Sequence, residues 1–235
     1  MTAYLHQFLF GIYPYICASV FLLGSLVRFE RGQYTWRSGS SQLLRARQLR
    51  WGSNLFHGGI LFLFFGHFFG MLTPHAVYEH VINPANKQML AIVSGGLAGT
   101  ATFVGLTLLL HRRLFDARIR ATSSAMDIAI LAILWVQLVL GMATLPSSLA
   151  HADGSVMLLL SEWAQRIVTF RAGAAELVEG LAWPYLVHMV LGMTIFLLFP
   201  FSRLVHVWSA PVGYVFRAPQ VVRRRGGGRA RGMGA

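Results

Sequence analysis

Five long stretches of the sequence contain no Asp, Glu, Lys or Arg. They run Phe8–Val27, Asn54–Leu72, Met89–Leu110, Ile128–Leu145 and Leu181–Ser202. Crossing about 30 Å of hydrocarbon takes roughly 20 helical residues, and each run is close to that length. Because a bilayer core offers the backbone no hydrogen-bond partners, the runs are predicted to be helices rather than strands. The sequence therefore predicts an all-α membrane protein, a bundle of five transmembrane helices.

The composition agrees with this class and limits the cofactors. Hydrophobic residues make up 55% of the chain and charged residues 12%, whereas a soluble domain carries about 25% charged residues. The single cysteine, Cys17, excludes an internal disulfide, a cysteine-ligated iron–sulfur cluster and a C-x-x-C-H haem attachment. Any redox cofactor must therefore be held by residues of another type.

The basic residues predict the orientation of the bundle. All but three of the 20 Lys and Arg residues follow the first helix, the third helix or the fifth helix, on one side of the bundle. The exceptions are Lys87, Arg166 and Arg171. The positive-inside rule then places the N-terminus outside and the C-terminus in the cytoplasm. A nucleic-acid binder is disfavoured, since the arginines follow membrane topology despite the net charge of +12.

The chain divides into a membrane domain and a short tail. The membrane domain spans residues 1–222, with helices at about 8–27, 54–72, 89–110, 128–145 and 181–206, and the Gly/Arg-rich residues 223–235 are predicted to be disordered. The long outer loop is predicted to contain a surface helix over Ser155–Phe170. Aromatic residues near the run ends are typical of interfacial anchors; they are Tyr4, Trp51, Tyr78, Trp163, Trp183 and Trp208.

Four of the nine histidines are placed in or beside the membrane. His57 and His67 lie in the second run, His188 lies in the fifth, and His206 lies just beyond it. An ionisable residue within a transmembrane helix is costly and points to function. The two helices run in opposite directions, so His57 matches His206 in depth near the cytoplasm. His67 matches His188 near the outer face, and the sequence predicts two sites, each between two helices.

Haem is the cofactor that fits two histidines per site. The macrocycle fills four positions of the iron, and two imidazoles complete it for electron transfer. A tetrahedral zinc site would lack ligands. A proton relay remains an alternative, disfavoured by the absence of Asp and Glu from the runs, and a lone histidine can simply hydrogen-bond a neighbouring helix.

The spacing of the histidines is the weak point of this interpretation. On the second helix, His57 and His67 are ten residues apart, about 15 Å of helical rise. On the fifth, His188 and His206 are eighteen residues apart, about 27 Å if the segment is helical. Tilt and a kink at Pro200 would reduce the difference. Gly59, Gly66 and Gly70 form a stripe that allows either close helix contact or room for a macrocycle. Methionines are discounted as ligands because they more often fill gaps.

Several stretches of the sequence match those of one known family. They are Tyr13-Pro-Tyr, Gly32-Gln-Tyr-Thr-Trp-Arg, Ser53-Asn-Leu-Phe-His57, Gly66-His-Phe-Phe-Gly-Met-Leu-Thr-Pro-His75, Arg112-Arg-Leu-Phe, Leu191-Gly-Met-Thr and Phe196-Leu-Leu-Phe-Pro-Phe-Ser-Arg-Leu-Val-His206, followed by Trp208-Ser. Through these stretches the sequence resembles the gamma subunit of membrane-bound respiratory nitrate reductase. The resemblance covers about residues 8–216 and all five runs.

The resemblance implies a subunit that holds two haem b groups in a bacterial inner membrane. It would anchor a cytoplasmic alpha subunit with molybdenum and a beta subunit with iron–sulfur clusters. His57 and His206 match the ligands of the haem nearer the beta subunit, and His67 and His188 match those of the haem nearer the outer face. Nitrate chemistry would belong to the partner, since this chain has no cysteine set for a metal cluster.

The resemblance also implies a quinol site beside the outer haem. Menaquinol or ubiquinol would be oxidised near Gly66, His67 and Lys87, although Lys87 can equally be read as a solvated interfacial cation. Arg113 and Arg203 are candidates by position for pairing with haem propionates. Two alternatives stay open: a diheme anchor of another cytoplasmic-facing oxidoreductase, and a haem-free proton-conducting anchor.

Overall fold

The computed structural model of the chain describes residues 2–36, 44–209, 213 and 216–218. In this part of the chain the secondary structure is entirely helical, with no strand. The Gly/Arg-rich tail predicted over residues 223–235 lies outside the described residues. The all-α class is thus confirmed for the described residues, while the predicted orientation relative to the two sides of a membrane stays a prediction.

Ten α-helices follow one another in the described part of the chain. They are α1 Ala3–Gln7, α2 Tyr13–Gly32, α3 Ala46–Leu72, α4 His75–Tyr78, α5 Pro84–Phe115, α6 Ala117–Ala121, α7 Ala125–Ala143, α8 Leu145–Ala150, α9 Ser155–Val168 and α10 Trp183–Leu198. A π-helical turn covers Phe8–Ile12, and 3₁₀ turns cover Gln33–Thr35, Ala175–Val178, Phe199–Phe201 and Arg203–Val207.

Five of the helical segments are long and apolar enough to cross a membrane. In chain order they are Ala3–Thr35, Ala46–Leu72, Pro84–Phe115, Ala125–Ala150 and Trp183–Phe201, called here the first to fifth spans. Each coincides with one of the uncharged runs. The second and third spans extend beyond their runs at the predicted cytoplasmic end, because helices continue past the hydrocarbon with polar residues at their ends.

Glycines bring the second and third spans into close backbone contact. A Cβ atom at Gly59 would collide with the Thr102 hydroxyl and lie 2.8 Å from the Ala98 carbonyl oxygen. A Cβ atom at Gly105 would collide with the Phe56 backbone nitrogen. Small residues let membrane helices pack at this distance. The contact fixes the second span, and with it His57 and His67, against the third.

The second and fifth spans, by contrast, make little direct contact in the described residues. The fifth span packs against the first and the fourth, and the fourth packs against the third. Accordingly, only 6% of the residues in an apolar 18-residue stretch of the second span are buried in the described structure. The arrangement leaves a space between the second and fifth spans, into which all four membrane histidines project from the two sides.

The outer loop folds onto the bundle rather than standing apart from it. Its predicted surface helix is present as α9, which packs against the second span and the turn Ala175–Val178. Trp163 was expected at the membrane interface, but it is buried, and its Nε1 donates to the Phe10 carbonyl at 3.0 Å. The loop thus closes the outer end of the bundle over the first span.

The fifth helix ends earlier than its sequence predicts. The α-helix stops at Leu198 instead of continuing to about residue 206, and two 3₁₀ turns follow. Pro200 lacks the N–H that would continue the helix, and Ser202 is extended at φ −114° and ψ 177°. His206 therefore lies on a separate turn, so the expected helical rise of about 27 Å between it and His188 does not apply.

Candidate functional site

The structure brings the four histidines together in the two pairs expected from their depth. The ring centres of His57 and His206 lie 6.3 Å apart, and those of His67 and His188 lie 6.4 Å apart. The two members of each pair come from opposite sides of the space between the second and fifth spans. The break after Leu198 makes this pairing possible, because it brings His206 back to the level of His57.

In both pairs, the Nδ1 atom of each histidine ring already has a hydrogen-bond partner. Each Nδ1 atom lies at hydrogen-bond distance from a backbone carbonyl, so Nε2 is the nitrogen that can bind a metal. The distances are 2.8 Å from His57 to Ser53, 2.7 Å from His67 to Leu63, 3.0 Å from His188 to Gln137 and 2.6 Å from His206 to Arg203. Such a hydrogen bond orients a metal-binding imidazole and fixes its tautomer. The His188 Nε2 also lies 3.4 Å from the Gln137 side-chain Nε2, a contact that a metal at this position would replace.

The distance within each pair fits one metal ion between two imidazoles. A histidine nitrogen lies about 2 Å from the metal it binds and roughly 1 Å from its own ring centre. Two imidazoles on opposite sides of one metal therefore have ring centres about 6 Å apart. No third His, Cys, Asp or Glu joins either pair among the described residues. Two donors per level suit a haem, whose macrocycle supplies the other four ligands.

A cavity of about 600 Å³ surrounds the inner pair. Such a volume is within the usual range for a cofactor pocket. Its walls include apolar side chains of the third and fourth spans, such as Leu109, Ile130 and Leu134, and both His57 and His206 line it. Four arginines also line the cavity: Arg50, Arg112, Arg113 and Arg203.

The charges around this cavity favour an anionic ligand. Asp127 lies 3.9 Å from Arg113 and 3.7 Å from Arg203, so one carboxylate is shared by two guanidinium groups. Asp127 is itself fixed by a capping box with Ser124 at the start of α7. The surplus positive charge suits the two carboxylates of a haem b. The structure thus brings both propionate candidates to the inner site, with Arg112, buried at 2% exposure, beside them.

The outer pair depends on two residues of the fourth span that sequence reasoning missed. Gln137 accepts a hydrogen bond from the His188 ring through its carbonyl, and its side-chain Nε2 donates to the His188 carbonyl at 3.0 Å. A Cβ atom at Gly141 would lie 2.8 Å from the His188 ring. The fourth span thus both orients this imidazole and makes room for it. Gln137, an amide within an apolar run, was the available signal.

Lys87 lies beside an aromatic ring at the N-terminal end of the third span, the end predicted to be outside. Its Nζ is 3.4 Å from the ring centre of Tyr78, a cation–π distance. Within the described part of the chain, this buried ammonium and the buried Tyr78 hydroxyl have no hydrogen-bond partner. Burial raises the pKa of the Tyr78 phenol, and the Glu79 carboxylate acts in the same direction. The Tyr78 phenol therefore stays protonated at neutral pH and, like the Lys87 Nζ, is a donor without an acceptor in the described residues.

The position of Lys87 relative to His67 follows from the register of the two spans. Gly59 faces Ala98 and Thr102, and the spans are antiparallel, so Lys87, 13 residues before the midpoint of those two, lies near the level of Leu72, 13 residues after Gly59. That level is five residues, about 8 Å, beyond His67 toward the predicted outer face. Gly66, the third quinol candidate, has open space where a Cβ would be. Among the described residues, the Lys87 Nζ makes no hydrogen bond to Gly66 or His67.

Comparisons with known proteins point in one direction. Residues 6–225 match the family described as nitrate reductase gamma subunit. The respiratory nitrate reductase 2 gamma chain of Escherichia coli (strain K12) is 55% identical over 96% of this chain and 100% of its own length. The respiratory nitrate reductase 1 gamma chain of the same organism is 52% identical over 94% of this chain and 99% of its own length. The nitrate reductase gamma chain of Bacillus subtilis (strain 168) is 39% identical over 93% of this chain and 98% of its own length.

Proposed function

This chain belongs to the nitrate reductase gamma subunit family, and from that premise we propose that it is the diheme, quinol-oxidising membrane subunit of a respiratory nitrate reductase. Electrons from menaquinol or ubiquinol enter near the outer face and leave toward iron–sulfur and molybdenum subunits in the cytoplasm, where nitrate is reduced. The observation that carries the proposal is the pair of facing imidazoles at each of two depths, 6.3 and 6.4 Å between ring centres.

The residues of the chain hold two haems at fixed levels. His67 and His188 would bind the outer haem, and His57 and His206 the inner one, each through Nε2. Arg113 and Arg203 would pair with the carboxylates of the inner haem. One-electron transfer is the chemistry that the haems supply when bound, because six-coordinate iron has no position open for oxygen. The ligand levels on the second span are ten residues, about 15 Å, apart.

The outer residues have the chemistry to bind and orient a quinol. The Lys87 ammonium and the Tyr78 hydroxyl are buried donors that lack an acceptor in the described residues, and a quinol oxygen would accept from them. Gly66 leaves the surface beside His67 open for a ring. Protons from the quinol then leave on the outer side, where Lys87 lies.

The proposed orientation gives the reaction its role in energy conservation. With the N-terminus outside, in a bacterial inner membrane, the arginine-lined inner cavity faces the cytoplasm and Lys87 faces outward. Proton release outside and electron delivery inside amount to charge movement across the membrane. Each elementary charge moved against 100 mV stores about 2.3 kcal/mol. Sensitivity of quinol oxidation to inhibitors acting only from the cytoplasmic face would contradict this orientation.

We expect the purified chain to contain two b-type haems. The measurement is a reduced-minus-oxidised spectrum together with quantification as the pyridine haemochrome. Two haems per chain would support ligation by both histidine pairs. A colourless protein, from cells that synthesise haem normally, would contradict the proposal and favour the haem-free proton-conducting anchor.

Replacing Lys87 by methionine is expected to slow quinol oxidation without loss of haem. The substitution keeps a long side chain but removes a charged donor, and a hydrogen bond to a charged group contributes about 1.5–3 kcal/mol. We therefore expect roughly a 10- to 100-fold lower kcat/KM for reduction of the haems by a soluble menaquinol analogue. Haem content and the reduced spectrum should match those of the unmodified chain.

Arg171→Gln is the matched control for loss of an outer positive charge. Arg171 is exposed, belongs to the predicted outer loop, and lies 3.5 Å from Glu162. Its loss should change the quinol kinetics little. If the Arg171 variant slowed as much as the Lys87 variant, the effect would be one of surface charge, and the assignment of Lys87 to quinol binding would fail.

A further inference from the structure

The turn that carries His206 begins at a break, where backbone groups lose their partners within the helix and bind other groups instead. In a continuous α-helix the Leu204 N–H would donate to the Pro200 carbonyl four residues earlier. Here it donates to the Ser202 side-chain oxygen at 3.2 Å instead. Carbonyls at the end of a helix need partners from outside the helix. The direction of the chain after the break, and so the position of His206, depends on what binds these carbonyls.

Arg28 of the first span supplies those partners. Its Nη1 donates to the Pro200 carbonyl at 2.6 Å and to the Ser202 carbonyl at 2.8 Å. The other side of the guanidinium donates to Thr35, from Nη2 to the carbonyl at 3.2 Å and from Nε to the hydroxyl at 3.3 Å. A planar guanidinium can make these bonds at once because its five donors point in fixed directions.

Packing around the arginine holds the same two segments together. A Cβ atom at Gly24 would lie 2.9 Å from the Pro200 ring, so the first span passes directly over the break. The Phe21 ring meets Phe199 before the break at 4.9 Å and Trp208 after it at 5.5 Å. The first span therefore contacts the chain on both sides of the His206 turn.

We propose that Arg28 is the positioning residue for His206, and so sets the geometry of the inner haem from outside its cavity. Arg28 binds the Ser202 carbonyl, where the turn Arg203–Val207 begins, and the His206 ring is in turn held by the Arg203 carbonyl at 2.6 Å. The guanidinium thus acts on the imidazole through two successive hydrogen bonds. This inference rests on the proposed function, because it concerns the ligand of one of its two haems.

The test compares Arg28→Gln and Arg28→Lys in the purified holoprotein. Loss of a residue that orients a metal ligand typically weakens binding about 10- to 100-fold. We expect the Gln variant to release its inner haem to apomyoglobin at least about 10-fold faster, with a shifted electron paramagnetic resonance g-value for that haem alone. The Lys variant should release its inner haem at a rate between those of the unmodified protein and the Gln variant, because an ammonium group cannot reach both the break and Thr35. His206→Ala and His188→Ala give reference spectra for the two haems.

Arg31→Gln is the control, since Arg31 is exposed at the same helix end; it should leave both haems unchanged. The outer haem in each sample reports whether the bundle has folded. An unchanged inner haem in the Gln variant, or equal loss of both haems, would overturn the positioning role. If the Gln variant fails to accumulate, the same comparison in the Lys variant decides. Absence of haem from the unmodified chain would instead overturn the proposed function, and is seen before any variant is made.

Discussion

The His67→Ala variant is expected to keep its five helices and its inner haem, but to lose the outer haem and quinol oxidation. Among the described residues, the His67 side chain is exposed and hydrogen-bonds to the Leu63 carbonyl of its own helix, so its removal costs little packing. His188, held by Gln137, would be left as a single axial ligand. Two facing imidazoles are what the outer site offers the iron, and one cannot replace them.

The measurement combines haem content with a rate. We expect the pyridine haemochrome to fall from two haems per chain to one, and the rate of haem reduction by a menaquinol analogue to fall about 100-fold or more. Membrane insertion and yield should be unchanged. Since the inner haem lies about 15 Å further from the quinol level, it should be reducible by dithionite but not by quinol.

His111→Ala is the matched control, because His111 is also an exposed histidine on a span. It contacts Phe115 and Gln48 near the predicted cytoplasmic end and belongs to neither pair. Both haems and the quinol rate should be retained. Two full-strength haems in the His67 variant would contradict the assignment, as would loss of a haem in the His111 variant.

Substitution of Gly105 by alanine is expected to cost both haems, although Gly105 touches neither site. The added Cβ would collide with the Phe56 backbone nitrogen and lie 2.8 Å from the Gly52 carbonyl oxygen. These are backbone atoms, which cannot move aside as a side chain can. Overpacking typically costs about 1–3 kcal/mol and sometimes more. The second span would have to shift, carrying both His57 and His67 away from their partners.

The expected result is loss of both haems, together with greater susceptibility of the detergent-solubilised protein to heat and protease. Gly95→Ala makes the same change on the same span, at a position where a Cβ meets nothing within 4 Å. That variant should keep both haems. Two haems and an unchanged melting temperature in the Gly105 variant would show that the glycine contact does not fix the second span.

Together the two substitutions distinguish residues that bind a haem from residues that hold the second span in position. Loss of one imidazole should remove the haem at one site, whereas loss of the contact between two helices should remove the haems at both sites. The second span makes its extensive contact with the third and little with the fifth in the described residues. Its inward face is therefore left for the haems to cover, so haem binding should also stabilise the bundle.

The sequence by itself determined the membrane class, the five spans and the two levels of histidines. Hydrocarbon thickness fixes the length of a spanning helix, and the absence of charge from each run is visible without a structure. The opposite directions of the second and fifth helices were enough to match His57 with His206 and His67 with His188. These inferences succeed because they depend on position along a helix, which sequence separation measures directly.

Tertiary structure alone decided what holds His188 and the turn of His206 in place. Arg28 and Pro200 are 172 residues apart in the chain, and Gln137 and His188 are 51 apart, yet each pair is in hydrogen-bond contact. The sequence predicts a fifth helix reaching His206, but Pro200 and the extended Ser202 end it at Leu198. Which surfaces of two helices meet, and where a broken helix turns, depend on packing between distant segments, and a pattern of residues along one helix does not contain that information.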